Sequence, residues 1–249
     1  MSYVRQEVYA GSTVEVKLYH TYKRSKKGER RAAKAEVTTE QMKEVNRRNA
    51  EAALRWKLNE NFTGNDFLIT LTYKRDIRPR DFDVLKKHTK EFFRKMRLFY
   101  RQKEKEMKYV YVYEVGSLGA MHTHIVLNEI EIKLIKAAWK YGYVHIDPLD
   151  DSGNYRKIAS YFIKYSDKTF RTVGSAMGKR YSCSRNLREP TIKRHVIYAS
   201  TFKKIPREKA GFVLDKESVQ SGFDCFGYEF FSYILFVLPE KKGSVRCDC

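Results

Sequence analysis

The chain is short of acid: among 249 residues, 30 aspartates and glutamates stand against 50 lysines and arginines, a formal charge of +20 at pH 7. That excess goes beyond what solubility needs and points to a polyanion, nucleic acid first, as partner. Cysteine is scarce too. Cys183, Cys225, Cys247 and Cys249 are scattered with no Cys-x-x-Cys pair, so neither a disulfide scaffold nor a structural zinc site is indicated, and the closing Cys247-Asp248-Cys249 is expected to be a reduced tail. Apolar runs are few. The longest, over 230–238, is too short to span a bilayer, and none opens the chain as a signal peptide would, so an intracellular soluble protein is expected. No Gly-x-x-x-x-Gly-Lys-Ser/Thr loop occurs, which argues against a built-in ATP-driven helicase. Aromatics, by contrast, are plentiful: 18 tyrosines and 15 phenylalanines supply core and, in part, flat faces on which unpaired bases stack.

Strand-like segments over 4–9 and 14–22 flank Gly11-Ser12. A basic run over 23–34 follows, readable as a solvated loop or as a DNA-backbone contact. A helix is expected from Thr38 or Thr39, with Met42, Val45, Asn49, Ala52 and Trp56 as its stripe, ending near Asn61 and Gly64. Residues 67–73 alternate apolar residues with Thr70 and Thr72. Pro79 and Asp81 then open a helix with Phe82, Leu85, Thr89, Phe92, Met96 and Phe99 on one face and Lys86, Lys87, Lys90, Arg94 and Arg97 on the other. Strands over 109–115 and 121–127, a helix over 129–140 and a strand over 143–147 complete the order strand, helix, strand, strand, helix, strand. That order predicts an α+β, ferredoxin-like (split βαβ) antiparallel sheet with helices on one face and the other face open. The expected organisation is an N-terminal extension over 1–62, a core over 63–190 and a C-terminal extension over 191–249 packed on the core. Beyond Pro190, only 195–202 and 228–238 look extended.

The chemistry gathers on Met121-His122-Thr123-His124-Ile125-Val126-Leu127. Strand side chains alternate faces, so His122 and His124 point the same way. Folding back from 109–115 through Gly116 to Gly119 brings Glu114 up to them. Two imidazoles and a carboxylate suit a divalent ion and leave positions open for water or substrate. His145 is expected to be structural or to support that site from behind. Downstream, 158–168 has helical spacing: Ile158 and Phe162 form a core stripe, with Tyr161, Lys164, Tyr165 and Lys168 clustered beside it. A phenol is a weak nucleophile at neutral pH, and neighbouring cations favour phenolate and hold phosphate.

The ordered set Phe67-Leu68-Ile69-Thr70-Leu71-Thr72-Tyr73, then Glu114 with His122-Thr123-His124, then Tyr161-Phe162-Ile163-Lys164 resembles the three motifs of rolling-circle replication initiators, the His-hydrophobic-His endonucleases of plasmids, phages and integrative elements. The likeness covers roughly residues 63–190. It departs from the family at Thr123, which stands where a bulky apolar residue is usual. The resemblance implies that Glu114, His122 and His124 bind Mg2+ or Mn2+, and that a helix-borne tyrosine cuts single-stranded DNA at a replication origin and stays joined to the new 5′ phosphate. It also implies rejoining by a 3′ hydroxyl, a bacterial cytoplasmic setting, and a host helicase and polymerase as partners. Helix angle selects Tyr161, between Lys157, Lys164 and Lys168, over Tyr165, which lies nearer the apolar stripe. The Tyr161 and Tyr165 spacing also resembles initiators with two catalytic tyrosines. Lys164 is assigned to the phosphate or to phenol deprotonation. Lys168, Arg180, Tyr181 and Arg185, in or beside a Gly-, Ser- and Arg-rich loop, are candidate DNA contacts. A transposase or relaxase using the same constellation, and a non-catalytic nucleic-acid-binding module, are the competing readings.

Overall fold

The computed structural model describes residues 3–20, 40–116, 119–199, 201–207, 209–223 and 228–237. The basic run over 23–34, the Thr38 and Thr39 caps, the turn residues Ser117 and Leu118, and Cys225, Cys247 and Cys249 lie outside them. In chain order the elements are β1 (Tyr3–Ala10), β2 (Thr13–His20), α1 (Glu40–Asn61), β3 (Phe67–Leu71), α2 (Phe82–Gln102), β4 (Tyr109–Val115) and β5 (Met121–Leu127). They continue with α3 (Ile132–Ala138), β6 (Val144–Pro148), α4 (Arg156–Val173), β7 (Ser182–Cys183), β8 (Thr191–Ile197), β9 (Phe212–Phe223) and β10 (Glu229–Val237). They fall into two units, one made of 1–42 with 190–249 and the other of 43–189.

In the 43–189 unit the strand order is β6-β3-β5-β4-β7, antiparallel throughout. Apart from the two-residue β7, this is the ferredoxin-like order that the patterning predicts. Period two sorts the side chains. Ile69, Leu71, Val115, Met121, Ile125 and Leu127 go to one face, where α2 and α3 cover them with Leu85, Phe92, Met96 and Ile135. Val110, Val112 and Val126 go to the other face, under Leu54 and Leu58 of α1 and Ala159, Phe162 and Ile163 of α4. Helices therefore cover both faces, and the face expected to stay open carries α1 and α4. Asp81 caps α2, its side chain accepting from the Asp83 amide. The buried apolar positions of α1 are Leu54 and Leu58, with Arg55, Asn59 and Asn61 buried beside them, and not the expected Met42-to-Trp56 stripe, which held the exposed Asn49 and left out both leucines. Asn59 of α1 accepts from the Tyr155 amide at 2.9 Å, tying α1 to the start of α4. Gly142 sits so close to the chain just after β3 that a Cβ there would lie 2.2 Å from the Thr72 carbonyl oxygen, a backbone approach only glycine permits.

In the other unit, β1 and β2 form the hairpin expected around Gly11, and β8 and β10 add to its two sides, giving the order β8-β1-β2-β10-β9. Tyr3, Val14, Val16, Leu18, Phe231, Tyr233 and Leu235 form its core. The two termini, expected as separate extensions, thus share one sheet. A lone hairpin has two open edges and little to bury, and the strands after Pro190 supply both partners. The strand expected over 195–202 begins instead at Thr191.

Candidate functional site

Cross-strand register builds the site. On the α4 side of the sheet, Glu114 of β4 stands opposite His122 of β5, and His124 stands opposite Thr70 of β3. The imidazoles of His122 and His124 lie with centroids 6.3 Å apart. His124 is almost fully buried and uses both ring nitrogens: Nε2 meets Glu114 Oε2 at 2.7 Å, and Nδ1 meets Thr70 Oγ1 at 3.0 Å. A carboxylate only accepts, so Nε2–H donates to Glu114; in the neutral ring Nδ1 then accepts from the Thr70 hydroxyl. Thr70, one of the two threonines of the 67–73 strand, thus holds the ring from the side opposite Glu114. His122 is half-buried, and its Nδ1 has no hydrogen-bond partner among the described residues. Burial pushes its pKa down, outweighing the pull of Glu114, and His124 and Arg78 act in the same direction as burial. Arg78, an exposed cation on the loop after β3, went unnoticed in the sequence, since nothing in the order of residues joins it to β5.

The two donor types and the unpartnered His122 nitrogen fit a divalent ion in their chemistry. As the side chains stand, no three His, Cys, Asp or Glu groups among the described residues are gathered closely enough to hold one. Glu114 and His124 are hydrogen-bonded to each other at 2.7 Å, and the His122 ring stands 6.3 Å from that of His124.

α4 delivers the phenol. Tyr161 Oη lies 3.4 Å from both Nδ1 and Nε2 of His124, with the rings edge-on at 5.1 Å. Burial first, then the negative charge of Glu114 and the neighbouring Tyr165, push the Tyr161 phenol up to about 12. Tyr165 stacks obliquely on Tyr161 at 4.3 Å and stands 5.7 Å from His124. Both tyrosines are thus at the histidine, where helix angle alone had separated them. Lys164 is exposed and lines a cleft with Arg47, Tyr165, Asp167, Lys168 and Arg171.

The expected loop after Lys168 is instead helix to Val173, followed by a short strand at Ser182 and Cys183 that pairs with β4. Of the candidate DNA contacts there, Lys168 and Arg185 are exposed, Arg180 is ion-paired with Asp167 at 2.7 Å, and Tyr181 packs against the α1 and α4 core. His145 lies on the sheet-edge strand β6, opposite Thr70, exposed and paired with Asp147 at 3.1 Å, so it is not a core residue.

One contact sets the height of α4 on the sheet. Thr169, fully buried, accepts from the Val115 amide and donates to the Tyr113 carbonyl, both at 3.0 Å, so it grips the backbone on either side of Glu114. Thr169→Val would leave that amide and carbonyl buried without partners. It should lower the unfolding free energy by about 2 kcal/mol or more, with Thr169→Ser restoring most of the loss. Denaturant midpoints measure this, and equal midpoints for the valine and wild-type proteins would show that the hydroxyl does not hold the helix.

Thr123, the departure from the family pattern, faces away from the site. Its hydroxyl lies 3.0 Å from that of Thr89 on α2, which in turn donates to the Leu85 carbonyl, so the buried polar group is satisfied. Among the described residues, no helix is long and apolar enough to cross a membrane. No curated protein and no solved structure matches the chain. Residues 66–170, which hold Glu114, His122, His124, Tyr161 and Tyr165, match a family model of replication-associated proteins, the one that takes in ORF2, and over that segment the chain is similar to a replication-associated protein.

Proposed function

We propose that the protein nicks and rejoins single-stranded DNA at a replication origin, initiating rolling-circle replication through a 5′-phosphotyrosine intermediate. The observation that carries this is the Tyr161 hydroxyl at 3.4 Å from the ring nitrogens of a buried histidine that is itself bonded to Glu114. The match to a replication-associated family and the charge of +20 support a DNA substrate. Tyr161 Oη attacks the scissile phosphorus in line, and the bond from phosphorus to the 3′ oxygen breaks. The phenol gives up its proton and the 3′ oxygen gains one. Attack by a 3′ hydroxyl on the phosphotyrosine reverses the step and rejoins the strand.

Glu114, His122 and His124 would hold Mg2+ or Mn2+, for which the carboxylate Oε2 and an imidazole nitrogen from each histidine are the donors. Bound there, the ion would polarise the phosphate and offset the Glu114 charge, which adds to burial in keeping the phenol protonated. Thr70 keeps His124 in one orientation, and Arg78 places a further cation on the His122 side. A host helicase and polymerase would carry out unwinding and synthesis.

The test uses the full chain, single-stranded oligonucleotides labelled at the 3′ end, and Mn2+. The expected product on a denaturing gel is a protein-linked fragment that keeps the 3′ label and is suppressed by a chelator. Free fragments with no protein-linked species, or no cleavage of any origin-derived strand, would overturn the reading in favour of a hydrolase or of a binding module.

A further inference from the structure

The sheet and the tyrosines account for the chemistry at one phosphate, and a strand has to continue beyond it. The cleft between α1 and α4, about 520 Å³, begins where the tyrosines end: it is lined by Arg47, Lys164, Tyr165, Asp167, Lys168 and Arg171. Lys164, Lys168 and Arg171 are three and four residues apart on α4 and so share one face of the helix. All three are exposed, and among the described residues no acidic group is in ion-pair contact with them. The anions nearby are already committed. Asp167 is paired with Arg180, and Glu44 and Glu51 with Arg47. Tyr165, half-buried, joins this cationic row to the site: its ring lies 4.3 Å from that of Tyr161, and Lys168 Nζ lies 6.0 Å from its centroid.

We propose that this cleft is the subsite for the strand flanking the scissile phosphate. Lys164, Lys168 and Arg171 bind successive phosphates, and Tyr165 is a stacking platform for the base beside the cut. The inference rests on the single-stranded-DNA substrate proposed above. Three features select an unpaired strand. From Tyr161 the helix runs about 15 Å to Arg171, its last 10 Å or so carrying the cationic row, long enough for a short run of nucleotides. The aromatic face at its head stacks on a base that a duplex would keep hidden. The cleft is also continuous with a phenol that reacts with a backbone phosphate. The other basic surface of this unit, the outer face of α2 with Lys87, Lys90 and Arg94, lies across the sheet from the histidines and has no tyrosine among its lining residues. It therefore serves as the control.

The experiment measures binding of a fluorescein-labelled oligo-dT of about 20 nucleotides by anisotropy over a range of salt. Two triple variants remove the same charge: Lys164→Gln, Lys168→Gln with Arg171→Gln on α4, and Lys87→Gln, Lys90→Gln with Arg94→Gln on α2. The α4 triple should weaken binding by tenfold or more and flatten the log–log salt dependence by about two, as expected for three lost phosphate contacts on a single strand. The α2 triple should leave the slope as it is in the wild type. Tyr165→Ala should lose about tenfold in affinity, and Tyr165→Phe almost none, because the ring face and not the hydroxyl does the stacking. Equal effects from the two triples, or wild-type binding by the α4 triple, would overturn the proposal. Should wild type bind through the cleft yet never become linked to DNA, the nicking reading falls while the cleft stands. Linkage with no contribution from the cleft means the reverse.

Discussion

Tyr161→Phe is expected to abolish the protein–DNA linkage, lowering its rate by at least about 10³-fold, while Tyr165→Phe keeps most of it. The two phenols differ in what they face. Tyr161 Oη is within 3.4 Å of both nitrogens of His124, whereas Tyr165 turns toward the cationic cleft under Lys168. Losing the Tyr161 hydroxyl gives up only long contacts, so the fold should survive at a cost of less than about 1 kcal/mol. Affinity for single-stranded DNA should stay close to wild type, which separates a lost nucleophile from a lost binding site. The readout is single-turnover formation of the linked species, with anisotropy and a denaturation curve on the same samples. Linkage lost in Tyr165→Phe and kept in Tyr161→Phe would reverse the assignment. Linkage lost only in the double variant would make the two tyrosines interchangeable nucleophiles.

The parts of this arrangement that the sequence makes legible are those governed by a short period. Two-residue alternation puts His122 and His124 on one face and Glu114 within reach across a tight return, and the register bears this out. Helical spacing finds α2 and α4, although on α4 the buried stripe is Ala159, Phe162, Ile163, Ser166 and Thr169, with Ile158 only at its margin. Long-range partners are not legible. Nothing local joins β2 to β10 across some two hundred residues of chain, and β9, a sheet-edge strand whose ladder with β10 is irregular near Ser232 and Ile234, lacks a clean alternation. Single polar contacts are equally hidden. In the sequence Thr169 is one more helical threonine and Arg180 one more basic loop residue; the first clamps α4 to the strand carrying Glu114, and the second is held by Asp167. The composition that suggested a DNA-binding loop counts charges but does not show which of them are already neutralised.

Removing one member of the acid and imidazole set should have the second large effect, and it should be visible without DNA. In the protein alone, Glu114 raises the Tyr161 phenol, acting after burial in the same direction. The carboxylate therefore works against phenolate formation, and Glu114, His122 and His124, if they held a divalent cation, would have that charge offset. His122 is the informative position. Its Nδ1 is buried with no partner among the described residues, and burial favours the neutral imidazole that a metal requires. His122→Ala and Glu114→Gln should each weaken Mn2+ binding by on the order of tenfold to a hundredfold, measured by titration calorimetry or by the loss of free-Mn2+ paramagnetic signal. Both should reduce linkage to DNA by more than their loss of affinity at subsaturating metal. Tyr161→Phe, which leaves all three donors in place, should bind Mn2+ as wild type does while forming no linkage. That pairing is the decisive comparison, because it separates the ion's site from the nucleophile. Mn2+ bound with equal affinity by wild type and by a protein lacking Glu114, His122 and His124 together would move the metal elsewhere and leave the hydrogen-bonded Glu114 and His124 pair as a means of positioning the phenol alone.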